Sequence, residues 1–461
     1  MEDLAREAIE AALHAGADFA DVRVEKSHLT TIEISNGVTK KSATSRLRGA
    51  GIRAFKNGAW AFGQVNTLMP KAMQERGRSV AKLALAIEER ASEKFELDAP
   101  VYEDTCRMNV SEDVQEVPVE EKVDLARRID KQAQDYDDRI SNSRAVYGDF
   151  SCVLHVANSF GTSVTVENSL PRVISSVTAK GNGDRRTAFK SYGARGGFEE
   201  LKGEFPQTLG TETAELAVRM LRSTAVQGGI YDVILDPILN GVMIHEAFGH
   251  ACEADNWPAH TTVLEDKLGE RLGPENLNIV DDPTLPGMRG SFDYDWEGTK
   301  ATRRTLVKNG ILTELLHSLE TASRLDKNPN GAARSQSFMY GPLPRMSNTF
   351  MESGEWEVDE MIEDTGNGLL LCSFNYGYTD PAKGQFMFQA SHGFEITDGQ
   401  VGPMVRDVSI AGQILDMLPR IDAIGNDFKM DAGTCGKSGQ KVPDMNGGPH
   451  ARIRKVPVGG M

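Results

Sequence analysis

The sequence predicts a mixed α+β protein, with an N-terminal α/β region followed by a β-rich C-terminal domain. Three observations carry this. Helical periodicity recurs before residue 225 and is interleaved with alternating strand patterns. After the Gly228-Gly229 pair the texture changes to short strands, frequent glycines and irregular loops. At 461 residues the chain is also too long for one ordinary core.

The elements follow in order. Leu4, Ala8, Ile9, Ala12 and Leu13 recur at helical spacing, and Gly16 ends the run. Residues 21–25 and 31–35 alternate as strands. Asn36-Gly37 then supplies a tight turn, because both residues tolerate positive φ. A second hairpin runs from 51–55 through Lys56-Asn57-Gly58 into 59–62. Pro70 opens a long amphipathic helix over 71–92. The polar stretch 93–118, with Pro100 and Pro118, reads as a crossing segment. A second long helix covers 119–136, a strand-rich tract 140–190 and a further helix 211–223. This divides the chain into an N-terminal domain, 1–225, with subdomains 1–95 and 118–225, and a C-terminal domain, 226–461. Irregular loops are expected at 290–298, 328–345 and 431–448, where they would build a site on a rigid sheet.

Composition narrows the function classes. A hydrophobic fraction of 39% and a charged fraction of 26% are globular values. A net charge of -16 is poorly suited to nucleic acid, whose phosphates it would repel. The N-terminus lacks the basic start and apolar core of a signal peptide. No apolar run approaches the roughly 18 residues that a membrane helix needs. The five cysteines are far apart and form no C-x-x-C pair, so reduced thiols and a cytoplasmic setting are expected.

The sharpest chemical signal is His245-Glu246-Ala247-Phe248-Gly249-His250. Residues 231–235 read as a buried strand, Asp236 as an N-cap and Pro237 as the first helical residue. In the zinc helix His-Glu-x-x-His, histidines four apart share a face. Here they are five apart, about 140° around a regular α-helix. Either a π-turn widens the helix and brings them together, or the helix stops at Gly249 and His250 swings back. An irregular helix end is therefore predicted. Two histidines flanking a glutamate also occur in ordinary core or surface segments, so the pattern alone does not establish a metal. The apolar run Ile238, Leu239, Val242, Met243 and Ile244 buries this helix. A buried His-Glu-His cluster with no metal would leave polar atoms unsatisfied.

A catalytic zinc needs a third protein ligand, with the fourth position left for water. Candidates are Cys252, Glu253, Asp255, His260, His317, Cys372, His392, Cys435 and His450. Cys252 is nearest in sequence, but a small apolar cysteine in a core is commoner. Cys435 sits in a Gly-rich segment with little apolar content, and Lys437 nearby would favour its thiolate. On these grounds it is the better candidate by a modest margin. Tyr294, Tyr340, Tyr376, Tyr378 and Arg345 could stabilise an oxyanion, yet each reads as structural or exposed.

The motif with its continuation Ala251-Cys252-Glu253-Ala254-Asp255, and the late Gly433-Thr434-Cys435-Gly436-Lys437-Ser438-Gly439-Gln440 segment, closely resemble the TldD/PmbA family of metallopeptidases. Ala20-Asp21-Val22-Arg23-Val24, Gly58-Ala59-Trp60 and Arg345-Met346-Ser347-Asn348-Thr349 are similar to that family too, and the resemblance covers nearly the whole chain. It is to the TldD-type subunit, which carries the histidine motif that the PmbA-type (TldE) partner lacks. The resemblance implies Zn2+ held by His245, His250 and Cys435, with Glu246 as general base. It implies cleavage of unfolded peptides and trimming of leaders from modified precursor peptides. It further implies a homodimer, or a heterodimer with a PmbA/TldE-type paralogue, enclosing a cavity. Two alternatives remain: a zinc enzyme of this fold recruited to carbon–sulfur bond cleavage, and a non-catalytic complex subunit. The intact histidine motif with a late cysteine argues against the second.

Overall fold

The computed structural model describes residues 1–91, 93–181 and 183–460. Helix α1 (Glu2–His14) leads into β1 (Phe19–Ser35), which pairs with β2 (Val38–Lys56) along its whole length. The two strands predicted at 21–25 and 31–35 are thus one. Asn36 and Gly37 turn the chain with φ of 49° and 78°, the left-handed pair that a two-residue hairpin demands. After Asn57-Gly58 comes β3 (Ala59–Val65). Next are β4 (Glu103–Cys106), β5 (Ile140–Asn158), β6 (Ser163–Ser169), β7 (Arg172–Gly181) and β8 (Asp184–Gly193). They form one eight-stranded sheet in the order β3-β2-β1-β5-β6-β4, with β7 on β5 and β8 on β7.

Helices cover one face of this sheet. α1 and α2 (Pro70–Ile87) pack on Val22, Val24, Ile52 and Ala54. α3 (Val119–Asp135) and α4 (Glu204–Met220) pack on Ile32, Ile34, Tyr147 and Val173. The alternate β1 positions Asp21, Arg23 and Glu25 face the other way, and they too are buried. There Arg53 bridges Asp21 to Glu297, and the Phe338 amide donates to Glu25 at 2.7 Å. The polar half of the alternation is therefore a paired, buried contact with the C-terminal half rather than a solvated face.

Two helix boundaries differ from expectation. α2 passes into a 3-10 turn, Glu88–Arg90, and its predicted last residue, Ser92, lies outside the described residues. α4 begins at Glu204 rather than 211. Pro206 is tolerated because the first turn lacks intrahelical partners for its amides. A side chain at Gly210 would strike the Ile129 carbonyl of α3. That glycine serves a close helix–helix approach, not a break.

The C-terminal half holds an eight-stranded and a six-stranded sheet. In the first, Gly229–Leu235 lies parallel to Gly368–Asp380 and antiparallel to Ala451–Gly459. The second ends in the antiparallel hairpin Lys429–Lys437 with Gln440–Gly448, turned at Ser438 and Gly439. The loop predicted at 431–448 is thus largely regular strand. Its glycines signal close packing: a Cβ on Gly433 would stand 2.7 Å from the Asp444 carboxylate opposite. The core of this half gathers Leu235, Leu239, Met243, Phe248, Leu369 and Ile453. All five cysteines are free. Among the described residues no helix is long and apolar enough to cross a membrane.

Candidate metal centre

The strand Gly229–Leu235 feeds α5 (Pro237–Met243). The Asp236 carboxylate accepts the Leu239 amide at 2.8 Å, and Pro237 occupies the first turn, as expected. The helix then widens into a π-turn over Ile244–Phe248, where the Gly249 amide reaches back to the Ile244 carbonyl. A 3-10 turn, Gly249–Cys252, follows. Of the two distortions that the five-residue spacing allows, the π-turn is the one adopted. It brings the His245 and His250 rings to 5.4 Å between centroids, with their planes at 88°.

α5 rests on the terminal hairpin through Gly241, where an added Cβ would overlap the Gly447 backbone. Gly241→Ala is therefore expected to lift the helix from the strand and lower stability by about 1–3 kcal/mol, the usual cost of overpacking. Metal retention should fall with it. A thermal melt and metal content measure both, and an unchanged melt would mean that the seat tolerates a methyl group.

Across this contact the hairpin delivers Cys435. Ligand atoms of His245, His250 and Cys435 all lie within 4.8 Å of one another. The three are 1%, 8% and 2% exposed. His250 Nε2 stands 3.6 Å from Cys435 Sγ. Tetrahedral zinc, with bonds of about 2.0–2.1 Å to nitrogen and 2.3 Å to sulfur, sets such a pair about 3.5 Å apart. The donors thus fit zinc by type and by this spacing. His250 Nδ1 lies 2.9 Å from Glu253 Oε2. His245 Nδ1 is 3.5 Å from Asp444 Oδ2 and makes no hydrogen bond.

Burial opposes charge on both histidines, but neighbouring anions outweigh it. Cys435 and Asp444 push His245 up to about 9. Glu253 and Cys435 raise His250 well above its ordinary value. Burial raises the Cys435 thiol, yet the two imidazoles bring it down to about 6. Each group thus favours the charged form of the others, and a cation bound by all three would displace the imidazole protons. Lys437 is not the source of the thiolate, contrary to the sequence expectation. Its ammonium is engaged by Glu253 and Asp255.

Glu246 differs from its neighbours in being 35% exposed, with Oε2 at 3.7 Å from His250 Nε2. With His245 and Cys435 it lines a cleft of about 840 Å³. Both halves of the chain wall this cleft: Tyr192 and Phe205 come from β8 and α4, Phe374 and His392 from the C-terminal sheet. Arg172 also lines it and donates to the Ala432 carbonyl at 2.9 Å. The sequence carried no signal for these wall residues beyond the alternation of a strand.

The other ligand candidates lie elsewhere or serve otherwise. Cys252 is fully buried in the apolar core, which raises its thiol pKa well above the ordinary value. His260 is exposed and paired with Glu265, and His450 with Asp427 at 2.8 Å. His317 is buried near Thr321 and pushed down by burial to about 4. Cys372 and His392 line the cleft. Of the suggested oxyanion donors, Tyr294 donates to Asp104, Tyr376 and Tyr378 are exposed, and Arg345 holds the Cys435 carbonyl at 2.8 Å.

The PmbA/TldA metallopeptidase domain 1 matches residues 20–88, the central domain 112–221 and the C-terminal domain 228–460. A metalloprotease of Methanothermobacter thermautotrophicus is 37% identical over 96% of this chain and 96% of its own. A zinc metalloprotease TldD homolog of Saccharolobus solfataricus is 34% identical over 53% of this chain and 54% of its own. In fold, the chain is similar to a Thermotoga maritima protein described as a modulator of a DNA gyrase. That match has a TM-score of 0.81 at 22% identity and covers 99% of this chain and 100% of the other. TldE of Thermococcus kodakarensis follows at TM-score 0.78 and 17% identity, covering 100% of both chains. The α+β architecture is that of these neighbours, and the chain belongs to the PmbA/TldD family of metallopeptidases.

Proposed function

We propose that this chain is a zinc-dependent peptidase that hydrolyses peptide bonds in unfolded or modified precursor peptides. The observation that carries the reading is a pair of imidazoles and a cysteine sulfur within 4.8 Å, beside a glutamate that lines a cleft. Magnesium and calcium prefer all-oxygen sites, whereas this donor set suits zinc. The relative named as a zinc metalloprotease points the same way. When bound, zinc would lower the pKa of a water toward neutrality and polarise the scissile carbonyl.

The chain's own residues do the rest. His245, His250 and Cys435 hold the ion. Glu246 accepts a proton from the attacking water and returns it to the leaving amine. The cleft lies between the proposed domains, 1–225 and 226–461, and its buried floor favours an extended peptide over a folded surface. A dimer, either of this chain or with a PmbA/TldE-type paralogue, would close the cleft's open side. Free cysteines and a thiolate ligand suit a reducing cytoplasm.

The test is metal analysis joined to digestion, with and without a candidate partner chain. About one zinc per chain is expected, as one three-ligand site requires. Unfolded peptides should be cleaved and a stable folded protein spared. Full activity in a zinc-free preparation, or rapid digestion of the folded protein, would defeat the proposal.

A further inference from the structure

We propose that Lys437 is a positioning residue for the metal centre, acting through Glu253 on His250. The inference rests on the reading of His250 as a zinc ligand. Lys437 Nζ lies 3.1 Å from Glu253 Oε2 and 2.6 Å from Asp255 Oδ1, and donates to the Pro344 carbonyl at 3.2 Å. The same Glu253 oxygen is 2.9 Å from His250 Nδ1. The Lys437 side chain is 13% exposed and that of Glu253 1%. Arg345 closes the arrangement, with Nε 3.8 Å from Glu253 Oε1 and Nη2 on the Cys435 carbonyl.

Strand geometry explains why one hairpin can do two jobs. Successive side chains alternate between faces, so Cys435 and Lys437, two apart on Lys429–Lys437, share a face. The strand that brings the third ligand therefore also brings the ammonium that pins Glu253. An imidazole whose Nδ1–H is donated to a carboxylate presents Nε2 to an ion in a set orientation. A carboxylate buried alone would be costly, and a cation in contact offsets that cost. His245 makes the contrast, since its Nδ1 has no hydrogen-bond partner. His250 is thus held before any ion arrives.

The test uses the full chain, with zinc affinity measured by chelator competition and a melt as control. Lys437→Met should weaken zinc binding about ten- to a hundredfold, the range for loss of a partner behind a ligand. It should also broaden or shift the His250 Nδ1–H resonance of the zinc-free protein. Glu253→Gln should do the same. The double variant should lose no more than about twofold beyond either single one, because one chain of contacts is cut twice. Lys437→Arg, which keeps the charge, should retain most of the affinity. Wild-type affinity in Lys437→Met, or a double loss equal to the product of the singles, would overturn the inference. If Lys437→Met does not fold, the resonance decides. Its loss in Glu253→Gln with retention in Lys437→Arg supports the relay, and any other pattern refutes it. A wild-type chain that binds no zinc would instead end the zinc reading, and this inference with it.

Discussion

Glu246→Gln is expected to keep its zinc and lose peptidase activity about a hundred- to ten-thousandfold, the range for loss of a general acid–base group. The amide nearly matches the carboxylate in shape but cannot take a proton from water. The position is suited to the role: Glu246 is the least buried member of the cluster, on the cleft wall and 3.7 Å from His250 Nε2. It is a neighbour of the three gathered donors rather than one of them. The measurement is turnover of an unfolded peptide by samples matched for zinc content. Wild-type turnover in zinc-replete Glu246→Gln would remove this residue from the mechanism.

Cys435→Ala is expected to release the ion and abolish activity. Two neutral imidazoles would be left facing a dication in a buried site, with no anionic soft donor to offset its charge. Affinity should drop by more than about a hundredfold, beyond the loss typical of an outer partner. The zinc-free fold should lose only about 1 kcal/mol, since one small buried group is removed from a strand held on both sides by other contacts. Cys252→Ala makes the complementary case. That thiol lies among core residues, so its removal should lower the melt and leave zinc in place. Zinc per chain in both variants is the readout. Retained zinc in Cys435→Ala, or loss of zinc in Cys252→Ala alone, would move the third ligand to Cys252.

Much of the local structure was legible because it depends on the backbone preferences of single residues. Asn36-Gly37 turns the first hairpin because both residues accept positive φ. Asp236-Pro237 starts the motif helix because one caps it and the other needs no amide partner. The five-residue histidine spacing predicted a distortion, but two were possible. The π-turn is the one adopted, and at its end a side chain on Gly249 would meet Met346, so the turn lies tight against a distant segment. The segment 431–448 misled because glycine density was read as loop. There the missing side chains make room for Asp444 and for α5 instead.

By itself, then, the sequence determined the α+β class, the turns, the cap and the residues able to hold a metal. These follow from local conformational preference and from donor chemistry, which neighbours along the chain carry with them. Only the tertiary structure decided which donors meet. Cys435 lies 185 residues from His250, and strand pairing between Asn348–Met351 and Gln440–Gly448 carries its hairpin to the motif helix. The same pairing sets Lys437 behind Glu253, and residues of β8 and α4 line the cleft together with Glu246. Convergence of this kind depends on sheet register and on burial shared by remote segments. No window of sequence around any one of these residues contains either.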